Sequence, residues 1–185
     1  NPLREAQSVM RTSLLPGLLT TVNRNYNRRN LDLQLFEIGQ RFYPQGQEQP
    51  HECEGLGIAL SGSTAQSWNN KGKACDYFYL KGIIEHMMDS FGINGYSFAV
   101  PFLHPGCSAV LYVGEQDIGY LGELHPLAAK NYDLEEKVLV AEISLRPLFA
   151  AIPQLRQCRD LPKYPAVTRD ISLLGSADVS AAAIE

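Results

Sequence analysis

The sequence has no apolar run near the roughly 20 residues that a membrane-spanning helix needs, and no signal-peptide pattern at its start. It has no basic excess either. Lys and Arg number 16 against 20 Asp and Glu, for a net charge of −4, whereas a free-standing nucleic-acid binder is more often basic. Cysteine is sparse: Cys53, Cys75, Cys107 and Cys158 lie far apart, with no C-x-x-C. Such spacing suits reduced, intracellular thiols and a cytoplasmic protein, not a disulfide framework. His51-x-Cys53 and His104-x-x-Cys107 have the residue types of zinc half-sites. A structural zinc site usually brings two tight pairs dominated by cysteine, so a zinc-binding interaction module stands only as an alternative. P-loop, dinucleotide, G-x-S-x-G and H-E-x-x-H patterns are all absent, which removes the local signatures of those chemistries. An initiator methionine is missing, and Asp178 to Glu185 reads as a capped helix start. The expectation is a piece of a longer chain.

What is present is an ordinary apolar fraction, 45% of 185 residues, enough for a substantial core. Leu15, Leu18, Leu19, Val22 and Tyr26 recur at helical spacing, with Pro16 near the start where its missing N–H is harmless. The spacing predicts an amphipathic helix of about four turns. Its other faces carry Arg24, Arg28 and Arg29. These read either as an RNA-facing stripe or as a solvated face with cations at the negative end of the helix dipole. Leu31 to Tyr43 reads as a strand whose apolar parity changes midway, which fits a bulge or burial on both faces. Gly55 to Gly62 is a second strand. One face is Leu56, Ile58 and Leu60; the other is Gly57, Ala59 and Ser61, small enough for another element or a ligand to approach. The polar excursion Ser63 to Cys75 holds the only tryptophan, Trp68. Asp76 and Gly92 bracket a second helix with an apolar stripe of Leu80, Ile83, Ile84, Met87, Met88 and Phe91. Gly82 within it is expected to mark tight packing, and His86 to face solvent.

Phe102 to Pro126 contains two His-Pro pairs, His104-Pro105 and His125-Pro126, flanking a predicted hairpin with turn residues Gly114 to Asp117. Proline holds each preceding histidine in extended backbone, and Pro126 suits the first turn of a short helix. With Glu115 and Glu123 nearby in sequence, this stretch is a candidate polar site. A strand over Lys137 to Leu145 and a helical turn over Pro147 to Ile152 follow. Gln154 to Pro162 reads as a linker, with a new strand starting near Val167. Helices and strands do not alternate regularly, which argues for an α+β domain around a mostly antiparallel sheet.

An ordered set of motifs carries a family resemblance. They are Asn1-Pro-Leu3, Met10-Arg-Thr-Ser-Leu-Leu-Pro-Gly-Leu-Leu19, Leu35-Phe-Glu-Ile-Gly39, Phe78 to Ile84, His104-Pro-Gly106, Gly122-Glu-Leu-His-Pro126 and Lys163-Tyr-Pro-Ala-Val-Thr-Arg-Asp-Ile171. Together they resemble the β subunit of bacterial phenylalanine–tRNA ligase across essentially the whole chain. The resemblance implies a class II aminoacyl-tRNA synthetase-like domain over residues 1–153, a linker over 154–161 and the start of a ferredoxin-like anticodon-binding domain over 162–185. It places the first class II helix and strand upstream of Asn1.

The role it implies is structural and non-catalytic. The domain would support the α subunit, which activates phenylalanine with ATP and Mg and charges tRNA(Phe); the domain itself would hold no cofactor or metal. The rival reading is a stand-alone class II paralogue binding ATP or an amino acid. Class II enzymes hold the ATP α-phosphate with an arginine just after a Gly-x-x-Phe strand, where a fixed cation stabilises charge. Here Gly39-Gln-Arg-Phe42 is followed by Tyr43 and Pro44, and Arg41 is expected on the opposite face. The third class II motif matches Val138 to Leu148, which has no glycine to admit a nucleotide, and Arg146 precedes a proline. Cys107 stands where the family usually has arginine. Arg11, Glu37, His104, Glu123 and His125 remain as polar candidates for a retired pocket or a structural frame.

Overall fold

A computed structural model describes residues 9–46, 49–64, 68, 72–99, 107–153, 167, 169, 170 and 172. His104, Cys158, the expected linker and nearly all of the expected ferredoxin-like start lie outside the described residues. The chain divides into two compact units, Asn1–Leu155 and Arg156–Glu185, and every element below belongs to the first.

In order the elements are α1 (Leu15–Tyr26), β1 (Leu33–Tyr43), β2 (His51–Ser61), α2 (Tyr77–Phe91), β3 (Tyr96–Ala99), β4 (Ser108–Val113), β5 (Gln116–Glu123), α3 (Pro126–Lys130), β6 (Val138–Ser144) and α4 (Leu145–Ala150). The strands form one six-stranded sheet in the order β1-β2-β6-β5-β4-β3, and each neighbouring pair is antiparallel. The last strand in sequence thus enters the middle. Val138 to Ile143 is buried throughout, as an apolar run in a central strand requires.

The two faces of the sheet have separate cores. Leu56, Ile58 and Leu60 of β2 join Leu139, Ala141 and Ile143 of β6 under α2 and α4. On the other face Ala59, Val138 and Val140 meet Leu18, Leu19 and Val22 of α1. Helix α2 has the caps its sequence announces. The Asp76 carboxylate accepts from the Tyr79 N–H, and Gly92 ends the helix at φ 71°, a left-handed value suited to glycine.

Four expectations need correction. Strand β1 has no bulge and is not buried on both faces. Its register with β2 runs unbroken from Leu33↔Ser61 to Tyr43↔His51. Phe36 and Ile38 do share the α2 face, but β1 is the sheet edge, and they stay 73% and 56% exposed. The irregularity lies in the hairpin, between Leu111 and Tyr112. Strand β2 starts at His51, four residues before the apolar alternation, because its pairing with β1 continues through polar residues. Gly82 is not tightly packed: a Cβ added there would meet nothing within 4 Å.

Candidate functional site

Alternation along the strands collects polar side chains on the α1 face. Register pairs Glu37 with Gly57 and Gly39 with Gly55. It then sets Gly57 beside Glu142 and Gly55 beside Ser144, and Glu142 beside Tyr120. Glycine on β2 therefore leaves a smooth floor between polar groups of β1 and those of β6 and β5.

Glu142 is the centre, only 3% exposed. One carboxylate oxygen accepts from the backbone N–H of Leu14 at 2.7 Å. The other accepts from Ser13 Oγ at 3.0 Å and from the Tyr120 hydroxyl at 2.9 Å. Helix α1 has no side-chain cap of its own and no acid in its first turn. Glu142 reaches across from the sheet to supply both an acceptor and a negative charge at that end. Although Tyr120 is 44% exposed overall, its hydroxyl turns inward. Burial, then the Glu142 charge and hydrogen bond, push its pKa well above the ordinary value.

Arg41 lies on this face, 6% exposed, with Nη2 donating to Ser144 Oγ at 2.8 Å. The expectation of the opposite face is overturned, because Arg41 and Tyr43 are two residues apart and keep the same parity. Its Cζ lies 5.9 Å from the Tyr43 ring centroid. The side chain lies flat over Gly55, where an added Cβ would sit 2.7 Å from Nε. Gly57 is covered by α1 in the same way, with Leu18 Cδ1 at 2.9 Å and Leu14 Cβ at 3.0 Å from an added Cβ. The close approach permitted by the small residues of β2 is thus taken by an element of the chain.

Two sequence candidates meet beside this floor. Arg11 pairs with Glu37 at 2.5 Å and donates through Nε to the Gln40 carbonyl at 2.9 Å. The Arg11 carbonyl accepts from the Phe42 N–H at 2.8 Å, so this segment runs along the open edge of β1.

The hairpin candidates lie apart from that pair. His125 is the N-cap of α3, its Nδ1 accepting from the Leu127 N–H at 3.1 Å. Glu123 pairs with Lys137 at 3.3 Å. Glu115 sits at the hairpin tip, separated from His125 by the eight residues of β5, roughly 25 Å of strand. A common site for those three does not form. A largely apolar cavity of about 370 Å³ opens between Leu15, Val110, Tyr120, His125 and Val140.

Arg24 and Arg28 line a separate cleft at the far end of α1, and Arg29 follows the helix. Arg146 is exposed on α4, which packs on the opposite face from Arg41 and Glu142. Among the described residues no three His, Cys, Asp or Glu side chains gather as a metal site, and no helix is long and apolar enough to cross a membrane.

Sequence reasoning missed Glu142, Ser13 and Tyr120, and misplaced Arg41. One signal was available: Glu142 is the only charge within Val138 to Ile143, and a charge inside a fully buried strand must be satisfied.

Comparison with known proteins accords with this architecture. Residues 1–145 match the family described as the phenylalanyl tRNA synthetase beta chain CLM domain. The phenylalanine–tRNA ligase β subunit of Carboxydothermus hydrogenoformans is 44% identical over 186 residues, covering 98% of this chain and 23% of the relative. That of Symbiobacterium thermophilum is 40% identical over 190 residues, covering 100% and 21%. The chain therefore spans less than a quarter of the length of these relatives. Among solved structures, pyrrolysyl-tRNA synthetase from Desulfitobacterium hafniense superposes with a TM-score of 0.58 at 14% identity, covering 75% of this chain and 48% of that one. This likeness shows a shared fold. The chain belongs to the phenylalanyl tRNA synthetase beta chain CLM domain family.

Proposed function

We propose that this chain is a non-catalytic structural domain, class II synthetase-like in fold, of the β subunit of a cytoplasmic phenylalanine–tRNA ligase. It supports an α subunit that activates phenylalanine with ATP and Mg and charges tRNA(Phe). Residues 154–161 are the linker, and residues 162–185 begin a ferredoxin-like domain. The observation that carries the reading is the filled floor. Arg41 lies over Gly55, and Leu14 and Leu18 press on Gly57. A nucleotide laid on this floor would meet those side chains, so the residues present do not fit ATP. Glu142 and Arg41 are turned to internal partners: the carboxylate holds the start of α1, and the guanidinium holds Ser144. Arg11, Glu37 and His125 bond likewise within the fold.

The test is exchange of pyrophosphate into ATP in the presence of phenylalanine. The full-length β subunit alone should give none, and co-purification with its α subunit should restore exchange. Exchange by β alone would overturn the reading.

The cavity beside Tyr120 and His125 favours one other reading, a stand-alone paralogue that binds an amino acid. Calorimetry of the full-length β subunit with amino acids and with ATP separates the two, since saturable heat with either supports the paralogue.

A further inference from the structure

We propose that the cleft at the C-terminal end of α1 is a binding site for the phosphate backbone of RNA. The proposal rests on the ligase-subunit reading for its RNA, which is tRNA. One wall is the end of α1 with Asn23 and Arg24 and the turn after it with Asn27 and Arg28; the other is the turn holding Asn131 and Asp133. The cleft has a volume of about 450 Å³. Asn23 Nδ2 donates to the Tyr132 carbonyl at 2.6 Å. That bond ties the two walls together before any ligand arrives, which lowers the ordering cost of binding.

Three features favour a phosphate polymer. The chain carries a net charge of −4, yet Arg24, Arg28 and Arg29 stand exposed together, and none joins an ion pair among the described residues. Arg24 lies in the last turn of α1 and Arg28 in the turn just after it, both lining the cleft, so their planar forks can take neighbouring phosphates. Arg29 extends the row from a left-handed backbone, φ 63°, a conformation more often left to glycine or asparagine. A cation favouring the helix dipole explains one arginine in the last turn. It does not explain the row, nor the Asn23 and Asn27 amides set beside it in the cleft. Asp133, also left-handed at φ 51°, sets a negative charge on the second wall and confines the strand to the arginine side.

The experiment uses the full-length β subunit assembled with its α subunit. Binding of tRNA is measured by fluorescence anisotropy across a salt series. Arg24→Gln with Arg28→Gln should weaken binding about tenfold and lower the slope of log K against log salt by about two. Arg24→Lys with Arg28→Lys should keep most of the slope. Unchanged affinity in the Gln pair overturns the proposal, and so does weakening with no change in slope. Should the Gln pair fail to assemble, Asp133→Asn decides. Asparagine tolerates the left-handed backbone, and removing the charge should tighten tRNA binding, whereas unchanged affinity overturns the site. Absence of phenylalanine-dependent exchange in the wild-type complex would instead strike the ligase-subunit reading.

Discussion

The carboxylate of Glu142 accepts a hydrogen bond from the backbone N–H of Leu14 at 2.7 Å, so the central strand of the sheet caps the first helix. Leu14 is fully buried, and its N–H has no helical partner at that position. Removing the carboxylate strands this donor together with the hydroxyls of Ser13 and Tyr120. Glu142→Ala should destabilise the fold by about 3 kcal/mol, and Glu142→Gln, which keeps an acceptor, by about 1–2 kcal/mol. Urea unfolding of both variants checks the order. Equal losses would mean that the hydrogen bonds to the carboxylate are not what holds α1.

Two glycines should respond to alanine with opposite signs. At Gly57 an added Cβ lies 2.9 Å from Leu18 and 3.0 Å from Leu14, and the neighbours are core residues with little room to yield. Gly57→Ala should cost about 1–3 kcal/mol. At Gly82, inside α2, the Cβ meets nothing within 4 Å. Gly82→Ala should raise stability by up to about 1 kcal/mol through helix propensity and the entropy of the unfolded chain. Thermal melts of the two variants decide, and a stabilised Gly57→Ala would contradict the packing of α1 on the floor.

What could be read from the sequence depended on range. The caps Asp76 and Gly92, the proline at the start of α1 and the His125-Pro126 entry to α3 act on neighbours within a few residues, so local chemistry announced them. The floor did not announce itself. Ser13 and Glu142 meet across 129 positions, because β6 inserts between β2 and β5, an order that alternation alone does not give. Glycine on β2 advertised a close approach but not by what. Phe36 and Ile38 had the pattern of buried residues, yet α2 and α4 leave the edge strand uncovered, and pattern carries no information on where a covering layer stops.

The pairing of Arg11 with Glu37 is partly exposed, with side chains 41% and 33% accessible. Solvent screens such a pair, so a double-mutant cycle of Arg11→Ala and Glu37→Ala should give a coupling below about 1 kcal/mol. The coupling should shrink further in high salt. Arg11→Ala alone should cost more than Glu37→Ala, since it also removes the bond to the Gln40 carbonyl. A coupling well above that range, unaffected by salt, would show the pair to be shielded from water.

Tyr120 gives the fold a dependence on alkaline pH with a definite sign. Burial, followed by the Glu142 charge and hydrogen bond, raises its pKa above the ordinary 10.0. The unfolded chain therefore loses this proton first as pH rises. The contribution to stability is complete below about pH 10, falls above it, and is lost as pH climbs through the raised folded value. Tyr26, Tyr77 and Tyr96 are shifted in the same direction by burial, so the wild type alone cannot isolate Tyr120. Tyr120→Phe can. It should be less stable at pH 8 by about 1 kcal/mol for the lost hydrogen bond. Its melting temperature should then fall less than that of the wild type between pH 9 and pH 11. Parallel falls in the two proteins would mean that the Tyr120 hydroxyl titrates as it does in water and is not held against the buried carboxylate.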